Sequence, residues 1–195
     1  MRQPRTVFSD CFYGMHRLRC EPNTPIVARE LYRTLPVDIP EQTFYKSLER
    51  LTKAGKAVHL AKGLYYRPRT GRFGEIPISD KEIVDYYIGE GQGVLVGYRL
   101  YNKKGITTQL SKYVEVYSKM LSEDRKKIKN VSVKKISVEL TDETIPVIET
   151  LDILNSYDKI ENLDRLSVPH TLAQYLSPMS DYKIPRLEWM YETAR

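Results

Sequence analysis

Apolar residues recur at helical spacing in three stretches near the start of the chain, which predicts three short helices. The first stretch is VFSDCFYGMHRL, and its apolar positions are Phe8, Cys11, Phe12, Met15 and Leu18. The second is NTPIVARELYRTL, where Thr24 is a suitable N-cap and Pro25 suits the first helical position. Its apolar side would consist of Ile26, Val27, Leu31 and Tyr32.

The third stretch, DIPEQTFYKSLERLTKAGK, repeats this arrangement. Asp38 or Ile39 precedes Pro40 at the predicted start, and Gly55 is the predicted stop. Its apolar stripe consists of Phe44, Leu48 and Leu51. The stretch AVHLAKGLYYRPR follows, and it predicts two short strands, with Val58 and Leu60 in the first and Leu64 to Tyr66 in the second. Three short helices before a small hairpin indicate an N-terminal winged helix-turn-helix.

The side of the third helix opposite its apolar stripe carries residue types that contact DNA. Gln and Thr side chains can pair with base edges, while Lys and Arg contact guanine or phosphate. These candidates are Gln42, Thr43, Tyr45, Lys46, Arg50 and Lys53. The hairpin would be the wing, with phosphate-contacting cations at Lys62, Arg67, Arg69 and Arg72.

The distribution of charge favours the same half of the chain. Residues 1–75 hold 14 Lys and Arg against 7 Asp and Glu, whereas residues 76–195 hold 17 against 18. A basic first third beside a neutral remainder indicates an anionic partner for the first third.

The composition changes after this part, and we predict two domains, 1–75 and 76–195. The stretch RTGRFGEIP has the glycines and the proline that are typical of a linker. Ser79 and Glu82, which follow it, are spaced as a capping box. Beyond it we predict a helix from Tyr98 to Lys104, a strand from Tyr113 to Tyr117 and a second strand in SVKKISVEL. EDRKKIKN is interpreted as a solvated turn, and IPVIETLDIL, VPHTLAQYL and PRLEWMYETA as helices. The second domain is thus expected to be α+β with a small antiparallel sheet.

Several other classes of protein are disfavoured. No apolar run has the length of a membrane span and no signal-peptide core is visible, so we expect a cytoplasmic protein. Two cysteines and three scattered histidines match no metal motif, and GEGQGVLVG lacks the ending of a phosphate-binding loop. No catalytic set is recognisable, so we expect a non-enzymatic protein without a cofactor or a metal.

Three stretches together resemble the AbiEi-type antitoxins, which are the transcription-regulating members of type IV toxin–antitoxin pairs. TFYKSLERLTKAGKAVHLAKGLYYRPR is similar to the family's recognition helix, wing and following strand. FGEIPISDKEIV is similar to its interdomain connection, and GYRLYNKKGITTQLSKYVEV to its most specific pattern. The likeness covers roughly residues 40–120. Ile106 replaces the usual Leu, and the tail after Asn155 matches no part of the family pattern that we can place.

The resemblance implies a repressor that binds its own operator in double-stranded DNA. It also implies a C-terminal domain that opposes a nucleotidyltransferase toxin, by functional antagonism rather than in a stable complex. The family's DNA-facing positions correspond to Gln42, Thr43, Lys46, Arg50, Lys62 and Arg67.

Three alternatives stay open from the sequence, as does the oligomeric state. One is a plain winged-helix transcription factor whose second domain senses a ligand or dimerises. Another is an enzyme or enzyme subunit acting on nucleic acid, which would require convergent carboxylates or a metal. The third is an RNA-binding protein, because a basic face does not distinguish one kind of duplex from another.

Overall fold

The computed structural model describes residues 21–35 and 39–160. The first predicted helix and the two helices predicted after residue 160 lie outside these ranges. The chain divides into two compact units between Tyr86 and Tyr87. Both combine helices with small sheets, which confirms the α+β class. The predicted boundary after residue 75 stays a prediction.

The first unit contains two small sheets. Its strands are β1 (Ile26–Val27), β2 (Val58–Ala61), β3 (Leu64–Tyr66), β4 (Arg69–Gly71) and β5 (Gly74–Ile76). Its helices are α1 (Ala28–Arg33), α2 (Glu41–Lys53) and α3 (Asp80–Ile88), the last of which continues into the second unit. One sheet has the order β1-β3-β2 and the other pairs β4 with β5, all antiparallel.

The predicted start of the second helix at Thr24 and Pro25 is wrong. Ile26 and Val27 form a strand that pairs with β3, and the helix begins only at Ala28. No side chain caps it; instead the Ala28 amide donates to the Gly63 carbonyl in the hairpin turn at 2.9 Å. The β-branched pair follows a tertiary partner in preference to the local capping signal, because strand pairing outside the segment outweighs intrinsic propensity.

Helix α2 forms as its sequence predicts, apart from its first residue. Pro40 is the N-cap rather than the first helical residue. The helix ends in a Schellman motif: the Lys56 amide donates to the Leu51 carbonyl, and Gly55 has a φ of 69°, which glycine adopts without steric cost. Its predicted apolar stripe is fully buried and joins one core cluster: Ile26, Ala28, Leu31, Ile39, Phe44, Leu48, Leu51 and Ala57.

The predicted hairpin after α2 is confirmed. Strands β2 and β3 pair antiparallel, with Val58 opposite Tyr66 and His59 opposite Tyr65. Lys62 and Gly63 lie in the turn between them. Leu64 and Tyr66 lie on the same side of β3, because side chains alternate along a strand, and both are buried. Their burial stabilises the pairing.

The segment RTGRFGEIP was predicted to be a linker, and this prediction is wrong. It forms the hairpin of β4 and β5, with Gly71 opposite Gly74 around a two-residue turn of Arg72 and Phe73. The capping box that follows is confirmed. The Ser79 amide donates to Glu82 Oε2 at 2.7 Å, and the Glu82 amide donates to Ser79 Oγ at 3.2 Å.

The second unit is built on a four-stranded sheet of order β6-β7-β9-β8. The strands are β6 (Gly93–Val96), β7 (Val114–Ser118), β8 (Arg125–Ile128) and β9 (Val131–Lys135), and the helices are α4 (Tyr98–Lys103) and α5 (Thr144–Ser156). Two of its pairings are antiparallel, but β7 and β9 are parallel, so the predicted antiparallel sheet is in fact mixed.

The basic run EDRKKIKN contains the edge strand β8 and is not a solvated turn. Ile128, the last residue of β8, is fully buried and pairs with Val131 of β9. This burial explains why the short charged segment is extended. The strand predicted across SVKKISVEL ends at Lys135. Ile136 and Val138 instead pack against a core cluster that includes residues of α5.

Candidate nucleic-acid interface

Helix α2 presents most of its predicted DNA-facing residues to the outside. Gln42, Tyr45, Lys46, Arg50 and Lys53 are exposed, because residues spaced three or four apart lie on one helical face and the opposite face is buried. Thr43 is only half-buried and lies toward the core, where its carbonyl accepts a 2.9 Å hydrogen bond from Ser47 Oγ. Thr43 is therefore the weakest member of the set.

The outward stripe of α2 is not uniformly basic. Glu41 and Glu49 are exposed on it, and both were missing from the residues singled out in the sequence. Lys53 Nζ lies 2.6 Å from Glu49 Oε1, and this hydrogen-bonded ion pair lowers the pKa of Glu49. Lys53 therefore already has an anionic partner. Lys46 and Arg50 form no ion pair with any residue that the structure describes, and they are the stronger phosphate candidates of the helix.

Aromatic side chains of the hairpin border this stripe. The His59 and Tyr65 rings are 5.1 Å apart in an edge-on arrangement. Tyr65 is half-buried, and burial raises the pKa of its phenol, with smaller contributions from Tyr45 and Glu49 of α2. Sequence reasoning missed His59 and Tyr65, although the alternation in the two strands was sufficient to place them on one face.

The basic residues that were grouped as one wing belong to different elements. Lys62 is exposed in the turn between β2 and β3, as predicted. Arg67 follows β3 and is half-buried, and its carbonyl accepts a 2.8 Å hydrogen bond from the Asn23 amide. Arg69 and Arg72 lie on the second hairpin, formed by β4 and β5, and so do not belong to the wing.

Arg69 is held by a local polar network. Its Nη2 lies 3.4 Å from Glu82 Oε1, and the same oxygen accepts a hydrogen bond from Asn23 Nδ2 at 3.3 Å. Desolvation opposes the charge on Glu82, but hydrogen bonds from Ser79 and Asn23 outweigh it and lower its pKa. Arg72 lies at the hairpin tip, with its guanidinium carbon 5.7 Å from the centre of the Phe73 ring, which is 97% exposed.

A basic cleft separates the end of α2 from the second hairpin. It has a volume of about 330 Å³, and three cations line it: Lys56, Arg67 and Arg69. Glu75 is the carboxylate in its lining. Lys56 was not among the predicted residues, because it lies beyond the helix that the sequence pattern defined.

The residues that the structure describes contain neither a candidate metal site nor a membrane-spanning helix. Among residues 21–35 and 39–160, no three His, Cys, Asp or Glu side chains converge as metal ligands. No helix of the part of the chain that the structure describes combines the length and apolar character that a membrane crossing requires.

The second unit contains a buried polar cluster around Asp152 of α5. Tyr101 Oη donates to Asp152 Oδ2 at 2.7 Å, Tyr117 Oη donates to Oδ1 at 3.3 Å, and the Gly97 amide donates to Oδ2 at 2.8 Å. Burial, and then the Asp152 carboxylate, raises the pKa of both phenols further above physiological pH, where a phenol is already a neutral donor. The cluster joins β6, α4 and β7 to α5, and we interpret it as structural.

Gly97 is the position in this cluster where a side chain cannot be accommodated. Its φ of 70° and ψ of −161° are accessible almost only to glycine, and a Cβ would lie 2.6 Å from Glu115 Oε2. The stretch GYRLYNKKGITTQ therefore contains residues that fix the backbone. Asn102 acts similarly, since its Nδ2 donates to the Thr107 carbonyl at 3.2 Å.

No protein-family model and no curated protein matches the chain. Among solved structures, the crystal structure of the RV2827C protein from Mycobacterium tuberculosis is similar to it, with a TM-score of 0.48 and 15% sequence identity. The match covers 91% of this chain and 73% of that one. A likeness at this level carries no argument about function.

Proposed function

We propose that this protein is a DNA-binding transcriptional regulator whose first unit is a winged helix-turn-helix. One observation carries the proposal: α2 exposes Lys46 and Arg50 directly opposite its buried stripe, beside the β2–β3 hairpin. Here α2 is the recognition helix and the hairpin is the wing.

The dimensions of α2 suit the major groove of B-DNA. Its 13 residues span about 20 Å at 1.5 Å per residue. A major groove about 12 Å wide admits a helix of this kind, which typically reads bases with its N-terminal residues. Gln42 is exposed near that end and can pair with adenine, while Lys46 and Arg50 are further along the helix and can contact guanine or phosphate.

The direct experiment is a footprint of the full-length protein on the DNA upstream of its own gene. A protected site is the result we expect. Absence of any protection at low salt, with protein that circular dichroism shows to be folded, would remove the operator from the proposal.

The proposed wing leads to a separate prediction about how DNA binding depends on salt concentration. Lys62 lies exposed at the hairpin turn, and a single cation at a turn has no geometry for base readout. Lys62→Ala should therefore weaken binding to all sequences alike and reduce the slope of log K against log salt by about one. Gel-shift titrations at several salt concentrations measure the slope.

The matched control for the wing is Lys81→Ala. Lys81 is an exposed lysine on α3 that pairs with Asp85. This control should leave the slope unchanged. An Lys62→Ala protein that keeps the normal slope but loses sequence preference would show that Lys62 reads bases instead.

We further propose that the protein is the antitoxin of a type IV pair, opposing a nucleotidyltransferase toxin. The resemblance of the GYRLYNKKGITTQ region to AbiEi-type antitoxins supports this, and the charge of the first unit supports autorepression. Because the antagonism is functional, no stable complex with the toxin is required.

Co-expression with a nucleotidyltransferase encoded beside the gene tests the antitoxin role. The Lys46→Glu/Arg50→Glu variant should still rescue cells from the toxin, because its second unit is unchanged, while failing to repress the promoter. Growth of induced cultures and a promoter-reporter assay measure the two effects. If wild-type protein gives no rescue, the antitoxin proposal is wrong and the DNA-binding proposal is untouched.

A further inference from the structure

One face of the sheet in the second unit changes from apolar to basic across its width. Directly paired residues of neighbouring strands share a face of a sheet. One such row consists of Val94, Tyr117, Lys134 and Arg125, in the order β6, β7, β9, β8. The adjacent row consists of Val96, Glu115, Ser132 and Lys127.

Helix α5 covers this face from β6 as far as Tyr117 of β7, which packs against the cluster that α5 forms with β6 and donates its Oη to Asp152 Oδ1. Val94 and Val96 of β6 form a buried cluster with Val147 and Ile148 of α5. At the opposite edge, on β8, Arg125 and Lys127 are exposed to solvent. The basic part is therefore a surface, and hydrophobic burial does not explain its composition.

Lysines and tyrosines pair on this surface. Lys127 Nζ lies 5.2 Å from the centre of the Tyr113 ring, and Lys134 Nζ lies 5.6 Å from that of Tyr117. These are cation–π distances. Arg125 Nε donates a 3.2 Å hydrogen bond to Ser132 Oγ. We call this surface the lysine–tyrosine face, consisting of Tyr113, Arg125, Lys127, Ser132 and Lys134, with the half-buried Tyr117 at its inner edge.

The charge of the face is positive. Glu115 is the one carboxylate among its positions in strands β6 to β9, and it lies on the side next to Gly97. Lys126 points to the opposite face, where it pairs with Glu123 at 2.9 Å. Asp152 adds a second half-buried carboxylate at the inner edge, where it accepts from Tyr117 Oη. The exposed edge on β8 carries Arg125 and Lys127 and is therefore complementary to a polyanion.

We propose that the lysine–tyrosine face binds single-stranded nucleic acid. Arg125 and Lys127 would contact backbone phosphates at the sheet edge, and Tyr113, whose side chain is 54% exposed, would stack on a base. Sheet faces that combine aromatic rings with cations bind unpaired strands in this way, because bases stack on the rings and the cations follow the phosphates. A duplex offers no unpaired base for Tyr113, so the exposed ring favours a single strand. The proposal is independent of the role of α2.

The test is fluorescence anisotropy of full-length protein with labelled twelve-nucleotide oligo(U) and oligo(dU), and with a labelled duplex. Wild-type protein should bind at least one of the single strands, and their ratio shows whether the ribose hydroxyl is recognised. Arg125→Glu/Lys127→Glu should weaken single-strand binding about tenfold or more, since two phosphate contacts are reversed. Tyr113→Ala should weaken it about fivefold or more, whereas Tyr113→Phe should bind as the wild type does.

The matched control carries the same charge change away from the face. Lys103 is exposed at the end of α4, and Lys135 is exposed and shares the opposite face with Ser118, so Lys103→Glu/Lys135→Glu should bind single strands normally. The Lys46→Glu/Arg50→Glu variant should also keep single-strand binding. The proposal is overturned if wild-type protein binds neither oligonucleotide, or if the Arg125→Glu/Lys127→Glu variant loses duplex binding alone. It is also overturned if single-strand binding depends on Lys46 and Arg50.

Discussion

Replacing Lys46 and Arg50 together with glutamate should abolish binding to the operator while leaving the fold intact. Both side chains are exposed on α2, opposite the buried Phe44, Leu48 and Leu51, so their replacement removes no core contact. Each contact of this kind contributes about 1–3 kcal/mol, and the new carboxylates repel phosphate. We therefore expect affinity to fall at least about a hundredfold in a gel-shift titration.

The control for this experiment is the Lys103→Glu/Lys135→Glu variant, which has the same net charge. It should retain operator binding within a few-fold, because its altered residues lie in the second unit. Equal losses in both variants would show that overall charge drives binding and that α2 has no special role. Unchanged affinity in the α2 variant, with a normal circular dichroism spectrum, would rule out α2 as the recognition helix.

Removing the Asp152 carboxylate should strongly destabilise the second unit. The change Asp152→Ala leaves Tyr117 Oη and the Gly97 amide without this acceptor, while Tyr101 Oη loses it but keeps its 3.2 Å hydrogen bond to the main-chain carbonyl of residue 152. Buried donors without partners cost about 1–3 kcal/mol each, of which water recovers a part, so we expect a loss of about 2–4 kcal/mol in the free energy of unfolding. Urea denaturation measures the loss.

Hydrogen exchange gives an independent measurement of the same effect. The Gly97 amide should exchange much faster in the Asp152→Ala protein, because its hydrogen-bond acceptor is gone. Asp158→Ala, a change at an exposed carboxylate in the same unit, should alter neither stability nor exchange at Gly97. If Asp152→Ala unfolds at the same urea concentration as the wild type, the cluster does not hold α5 in place.

The sequence predicted elements well where the local signal and the tertiary environment agree. Helix α2 carries its own apolar stripe and its own glycine stop, and the Ser79 capping box acts within four residues of the chain. The β2–β3 hairpin likewise follows from its alternation and its turn. In each case the residues that determine the element lie within it.

Elements that depend on distant partners were not predictable in the same way. Ile26 and Val27 have a suitable helix cap before them, yet they pair with β3, nearly forty residues later. The basic run that includes Arg125 is extended because Ile128 and Val131 are buried as a pair across β8 and β9. The segment from Arg69 to Ile76 has the composition of a linker, but its two halves pair with each other as the antiparallel strands β4 and β5.

The candidate site shows the same division. Periodicity by itself determined that Lys46 and Arg50 lie opposite a buried stripe, because helical geometry relates those positions directly. The Glu49–Lys53 pair follows from the same periodicity, because the two residues are four apart on one helix. Only the tertiary structure decided that Glu82 holds Arg69 and that Arg72 lies on a second hairpin. Strand register, which no local pattern specifies, brought together Tyr113, Lys127 and Lys134 on one face, and the packing of α5 gathered three donors around Asp152. The physical reason is that the identity of a side chain's neighbours depends on pairing across long stretches of chain, whereas its own orientation depends on a few adjacent residues.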